Sequence, residues 1–329
     1  MQAIHQLCQL FDLNPILIDV GASGAPPKIW DSIASRSTYV GFDPDLREIR
    51  ETTGGHFARS IIVNEAVTAS AEGGKTRFYF TKSPYCSSTL RPSHEPLQNQ
   101  LFAELFEIKS EAEVSATTLE AVLARLNLDR VDWLKIDSQG TDLRIVEAIP
   151  DIVGRSILAL DVEPGLIDAY EGEDHFVTAH SALVNQGYWL ANLEVCGTVR
   201  MRQSTLKHIL ATYPEVNYFG LERGLPTAPG WCNATYLRTL ESLASNEALR
   251  PAYAMLWLFA VLHNQIGFAL DVALEIRSLF GDNELSTVME NELVPYLEQA
   301  CQAHMPKKAS LARRFLRRVQ STLFVKNSK

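Results

Sequence analysis

Cysteine is scarce and unpatterned in this 329-residue chain. Its five cysteines, Cys8, Cys86, Cys196, Cys232 and Cys301, are odd in number and never spaced as a CxxC pair. That spacing supports neither a disulfide framework nor a cysteine zinc site, and a reducing compartment suits it best. Long hydrophobic runs are missing as well. The longest, 252–262, is about half the roughly 20 residues a membrane-spanning helix needs, and it runs into His263, Asn264 and Gln265. The start, MQAIHQLCQLFDLN, lacks a basic n-region and a continuous apolar h-region, so a signal peptide is not expected and a cytoplasmic location is. The chain is also poor in positive charge. It carries −9 overall, and eight basic residues lie in 307–329 with no acid among them, so removing those eight leaves −17 on residues 1–306. An acidic body repels phosphate backbones, so nucleic acid is not an expected partner.

What remains is an ordinary globular composition, 46% hydrophobic and 21% charged, at a length that suits one large domain with an appendage or two domains. The first half alternates short apolar runs with helical spacing, the signature of βα units around a mostly parallel sheet. Strands are expected at ILIDV (16–20), TYVGF (38–42), SIIVN (60–64), VDWLKI (131–136), SILALDV (156–162), GYWLANLEV (187–195) and VNYFGL (216–221). Helices are expected over 26–36, 45–54, 118–126, 141–149 and 174–186. TRFYFT (76–81) and 107–116 read as two extra strands. They bracket KSPYCSSTLRPSHEPLQN, a long loop or lid of the kind that is more often functional than accidental. After the Pro/Gly-rich GLPTAPGW (224–231) the spacing is helical throughout, over 235–243, 251–263, 267–280, 285–302 and 310–324. The expected fold is therefore α/β, a doubly wound seven-stranded sheet over 1–223 (core about 14–222), with a helical C-terminal extension over 224–329.

Chemistry concentrates at strand ends. The first strand closes in Asp19-Val20-Gly21-Ala22-Ser23-Gly24 and a helix is expected next; glycines at such a turn let backbone approach a ligand at the carboxyl edge of an open sheet. The turn reads GASGAP where a dinucleotide fingerprint reads GxGxxG, and no Lys-Ser/Thr pair follows, so NAD is disfavoured and a P-loop excluded. The second strand ends in Gly41-Phe42-Asp43-Pro44, which places a carboxylate about where the ribose-binding acid of dinucleotide folds stands. A nucleoside without a phosphate cradle fits this pair. The arrangement is similar to that of S-adenosylmethionine-dependent methyltransferases of the doubly wound class.

The fourth βα unit is more specific. Trp133-Leu134-Lys135-Ile136-Asp137-Ser138-Gln139-Gly140-Thr141-Asp142-Leu143 resembles the LKIDvEGaE signature of the FkbM-type methyltransferase family. DVGASG, GFDP, the Ser87-Ser88 pair and LDVEP followed by Tyr170 extend the likeness over about 14–222. Gln139 and Asp142 depart from it, each standing where the family commonly has Glu. The resemblance implies a class I methyltransferase-like fold, S-adenosyl-L-methionine as cofactor, and methyl transfer to hydroxyls of sugars, glycans or polyketides; a carbohydrate or glycoconjugate substrate is the expected partner. Transfer to another small-molecule natural product, or a non-catalytic binding module that keeps the fold, stays open.

Asp19, Gly21, Ala22, Gly24 and Asp43 are the expected donor-site residues, with Asn64 and Glu65, at the end of the third strand, near the adenine. Asp137 is the leading base, since a hydroxyl is a poor nucleophile and needs one, although Asp is also a favoured helix N-cap. Glu163 and His94 are the further catalytic candidates. Two carboxylates alone do not make a metal site, and none is expected. In the tail, Leu311, Phe315, Val319 and Leu323 form an apolar stripe beside arginines. It could dock on the acidic body, on a second copy of the chain in a homo-oligomer, or on the anionic inner face of a membrane, and these readings stay open.

Overall fold

A computed structural model of the chain describes residues 8, 11–45, 47, 56–70, 74–243, 250–282 and 284–304. Its centre is a seven-stranded sheet formed by β1 (Ile16–Val20), β2 (Thr38–Phe42), β3 (Arg59–Val63), β7 (Trp133–Ile136), β8 (Ala159–Val162), β9 (Tyr188–Thr198) and β10 (Ala228–Arg238), in the spatial order β3-β2-β1-β7-β8-β10-β9. All strands from β3 to β8 run parallel, and β10 runs antiparallel to both of its neighbours. Between β1 and β7 the order reverses, and a crevice opens there at the carboxyl ends. A smaller sheet, β4 (Ala66–Val67), β6 (Ile108–Thr117) and β5 (Lys75–Thr81), stands beside that crevice and contains both of the extra strands read from the sequence.

β1, β2, β7 and β8 read as apolar runs because they are covered on both faces. One face carries Ile18, Val40, Leu134 and Leu160 against the helices Leu119–Leu126, Asp142–Glu147 and Phe176–Asn185. Thr118 caps the first of these by accepting a hydrogen bond from the Ala121 amide, and Asn127 ends it in a left-handed conformation at φ 55°. The other face carries Leu17, Tyr39, Trp133, Ala159 and Leu237. What covers it comes mostly from the end of the chain: the helices Arg250–Leu262, Ile266–Phe280 and Glu284–His304.

Four expectations are corrected. VNYFGL is not a strand but leads into the helix Tyr218–Gly224, because Asn217 accepts a hydrogen bond from the Gly220 amide and caps it. The seventh strand is β10, so 235–238 is strand and 240–242 a single 3-10 turn rather than one helix over 235–243, and a boundary at 223/224 would cut the sheet. The C-terminal helices form a layer of the sheet's own core rather than an appendage to it. Residues 26–36 form two short 3-10 turns, Lys28–Trp30 and Ala34–Arg36, entered through Pro27 in an extended conformation. The helix expected over 45–54, apart from Asp45 and Arg47, and the tail 307–329 lie outside the described residues. No helix among the described residues is long and apolar enough to cross a membrane.

Candidate active site

The β1 turn is fixed by its neighbours. The amides of Gly21 and Ala22 both donate to the Phe42 carbonyl at 2.9 Å, so neither is free to cradle a phosphate. Gly21 sits at φ 80°, and a Cβ there would lie 2.0 Å from the Asp137 carbonyl oxygen. Only glycine lets β1 and β7 close to this distance at the switch point. Beyond the turn lies a cleft of about 680 Å³ whose wall includes Gly21, Asp43, Glu65, Phe78, Lys135 and Asp137.

Asp43 is 6% exposed, and burial pushes its carboxyl up to about 6. One oxygen accepts the Asp45 amide at 2.7 Å, while Asn64 Nδ2 donates to the Asp43 carbonyl at 2.7 Å. Asn64 thus supports Asp43 from behind and is not part of the cleft wall. Glu65 lines the cleft, but Arg125 holds its carboxylate through two hydrogen bonds of 3.2 and 2.7 Å. The slot beside it is apolar, built from Ala66, Val67 and Phe78. These three were not found from the sequence, where β4 is too short to show a period and nothing in TRFYFT sets Phe78 apart as a cleft residue.

Asp19 is placed differently from expectation. It faces inward, 3% exposed, where Lys135 Nζ donates to it at 3.0 Å and Tyr39 Oη at 3.2 Å. Burial raises its pKa. Its work is to hold Lys135 rather than a ligand. Burial alone would lower Lys135, but the carboxylates of Asp19, Asp137 and Glu163 around it raise it above its ordinary value. Ala22 is buried behind the turn, and Gly24 lies further along it, with Tyr85 Oη 3.7 Å from where a Cβ would stand.

A second cleft, of about 1000 Å³, meets the first at Tyr85, Asp137 and Gln139. Phe102, Phe106 and Trp231 form its wall: Phe102 stacks on Phe106 at 5.1 Å and meets Trp231 edge-on at 6.0 Å, and Phe106 leans on Tyr170 at 5.6 Å. Its floor holds Asp137 and Glu163. These two acids come together because Asp142, 1% exposed, accepts the Ser138 amide at 3.0 Å with one oxygen and the Glu163 amide at 2.7 Å with the other. Burial, and the nearby Asp137 charge, push Asp142 up to about 6.

Asp137 itself accepts from Gln139 Nε2 at 2.5 Å and has Lys135 Nζ 4.0 Å from its other oxygen. Glu163 differs: burial first, then the charge of Asp137, push it up to about 9. One acid is therefore supplied with donors, and the other is kept protonated at neutral pH. His94 does not join them. It opens the short helix His94–Leu97, is exposed, and faces an outer groove that reaches the aromatic cleft only at Phe106. His175 pairs with Asp168 at 2.9 Å on the surface.

The order of the sheet, its antiparallel inserted strand and a cleft at the β1/β7 switch point are the arrangement of the doubly wound methyltransferase fold. A model of the methyltransferase FkbM domain matches residues 24–212. The chain belongs to the FkbM methyltransferase family. No curated protein matches it significantly. A solved structure described as an antibiotic-related methyltransferase is similar over 71% of this chain and 94% of that one, at 11% identity and a TM-score of 0.27.

Proposed function

We propose that the protein O-methylates a hydroxyl of a sugar, glycan or glycoconjugate and takes the methyl group from S-adenosylmethionine. The observation that carries this reading is the position of Asp137, on the wall shared by the cleft at the β1 turn and the aromatic one. The first cleft suits the donor. Asp43 offers a carboxylate oxygen to ribose hydroxyls, Ala66, Val67 and Phe78 offer an apolar slot for a base, and the amides that would bind phosphate are occupied. Lys135 is the one cation among the described residues lining this cleft, and it is bonded to Asp19, so a nucleotide phosphate would meet the carboxyls of Asp43, Glu65 and Asp137 instead.

When bound, S-adenosylmethionine supplies a methyl group on a positively charged sulfur. The chain has to position a hydroxyl and remove its proton, contributions worth several orders of magnitude together. Asp137, held by Gln139 and facing Lys135, accepts that proton. Glu163, held toward its protonated form before the acceptor binds, leaves the base role to Asp137. The aromatic wall suits the apolar face of a sugar ring. The test is turnover of S-adenosylmethionine with methyl glycosides as acceptors, read as S-adenosylhomocysteine and methyl ether formed in equal amounts. A protein that binds the donor and forms a methylated amine or carbon instead would refute the hydroxyl assignment.

A further inference from the structure

The aromatic cleft is chemically one-sided. Its wall presents three carboxyl groups, Asp137, Glu163 and Glu173, and among the described residues that line it there is no Lys, Arg or His. Glu173 is engaged, accepting the Tyr170 amide at 2.7 Å. Glu163 is not engaged: it lies mostly buried at the end of β8 among other charges, and no hydrogen bond from the described residues relieves it. Phe102, Phe106 and Trp231 line the same cleft. Aromatic faces and carboxyls together attract a cation twice over, by ring quadrupole and by charge.

Building on the methyltransferase reading, we propose that the acceptor is an amine-bearing polyol, such as an amino sugar. Its ammonium sits between Glu163 and the aromatic wall, and its neighbouring hydroxyl faces Asp137. Anionic acceptors are excluded by the same charges. The groups facing Glu163 are consistent with this. Asp137 and Lys135 come from β7, Asp142 from the following helix and Asp161 from β8, with Cys196 and Cys232 from β9 and β10. Lys135 Nζ is bonded to Asp19 and lines the other cleft, so it does not occupy the place of the ammonium.

A cation bound there leaves a signature that a neutral sugar does not. Glu163 is pushed up to about 9 by burial and by its neighbours, so at pH 6, where the amine of an amino glycoside is itself already mostly protonated, it enters the complex protonated and ionises against the ammonium, releasing its proton to the buffer. The experiment is calorimetric titration of the full chain, saturated with S-adenosylhomocysteine, in two buffers of different ionisation enthalpy. The probes are the phenyl glycosides of glucosamine, galactosamine and mannosamine, of the parent hexoses, and of glucuronic acid. At least one amino glycoside should bind tenfold or more tighter than its parent and release close to one proton. The parent should release none, and the glucuronide should show no binding.

Glu163→Gln should abolish proton release and bring the amino glycoside within threefold of the parent. Equal binding of amine and parent, binding of the glucuronide, or an amine preference that survives in Glu163→Gln would overturn the proposal. So would failure of every glycoside to bind while S-adenosylhomocysteine still does. Failure to bind S-adenosylhomocysteine would instead overturn the donor assignment on which the proposal rests.

Discussion

Gln139 Nε2 donates to Asp137 Oδ1 at 2.5 Å, and the Tyr170 hydroxyl donates to Gln139 Oε1 at 2.7 Å. Gln139 holds this pose from a left-handed backbone at φ 60°, its carbonyl accepting from Ser88 Oγ at 2.8 Å. The Tyr170 hydroxyl also lies 3.0 Å from the Cys86 carbonyl and shares its one proton between the two acceptors, so the 82–99 loop is wired to the base through two side chains. The amide is the group that can donate to one neighbour and accept from the other. Family members commonly carry a carboxyl at this position, so here the chain departs from the pattern and still completes the network.

Replacing that amide by a carboxyl gives the first prediction. In Gln139→Glu two carboxyls share one short contact and cannot both ionise, so the pair retains a proton to higher pH. The acidic limb of the pH–rate profile should move upward by about one unit, with donor affinity little changed. An unmoved limb would show that Asp137 is not the group whose ionisation governs turnover. Asp137→Asn should bind donor normally and turn over about a hundredfold more slowly, the scale of a positioned base.

Asp43 makes donor affinity pH-dependent. Its carboxylate must be ionised to accept from ribose hydroxyls, and burial pushes its pKa up to about 6. The acceptor is therefore present above that value and lost as pH falls through it. S-adenosylhomocysteine should bind roughly tenfold more weakly at pH 5 than at pH 7.5, following the protonated fraction. In Asp43→Asn the affinity should be low and flat with pH, and a flat profile in the unaltered protein would remove Asp43 from the donor site.

Glu163 should be a stability liability at high pH. Unfolded, it ionises near 4.5; folded, it is held up to about 9, so the folded state is favoured below 4.5 and loses that advantage as pH rises toward 9. Glu163→Gln removes the penalty. The variant should gain about 2 kcal/mol or more at pH 8 and almost nothing at pH 4.5, read by denaturant unfolding at both pH values. A gain independent of pH would mean that Glu163 is not held protonated in the folded protein.

The parts of this fold that the sequence shows are those whose burial is local. ILIDV, TYVGF and VDWLKI are apolar runs because each strand is covered on both faces, and Asp137 and Glu163 can be placed at strand ends by counting along such runs. β10 escapes that counting. Pro229, Gly230 and Asn233 lie inside it and read as punctuation, and its place in the sheet depends on β8 and β9, which are distant in the chain. The aromatic wall escapes for the same reason, since Phe102 and Trp231 meet only through the fold. Asp19 misled in another way. A carboxylate before a glycine turn looks the same in sequence whether it faces the crevice or, as here, lies buried against Lys135.

The C-terminal helices carry the last prediction. Trp133, which opens β7 two residues before Lys135 and pairs with Leu17 of β1, packs edge-on against Phe259 at 4.8 Å and beside His263 at 4.7 Å, while its indole N–H donates to Asp161 at 2.7 Å. Phe259 is fully buried, and so are Leu256, Trp257 and Leu258. Removing such a ring leaves a cavity under the central strands, so Phe259→Ala should cost about 3–5 kcal/mol and lower the thermal midpoint by several degrees. The loss should appear in one cooperative transition shared with the donor site. An independent appendage would behave otherwise: a chain ending at residue 243 would keep the sheet folded and bind S-adenosylhomocysteine normally. With Leu17, Tyr39, Trp133 and Leu237 exposed along one face, that shortened chain should instead aggregate or show no cooperative unfolding. Normal donor binding by it would refute the shared core.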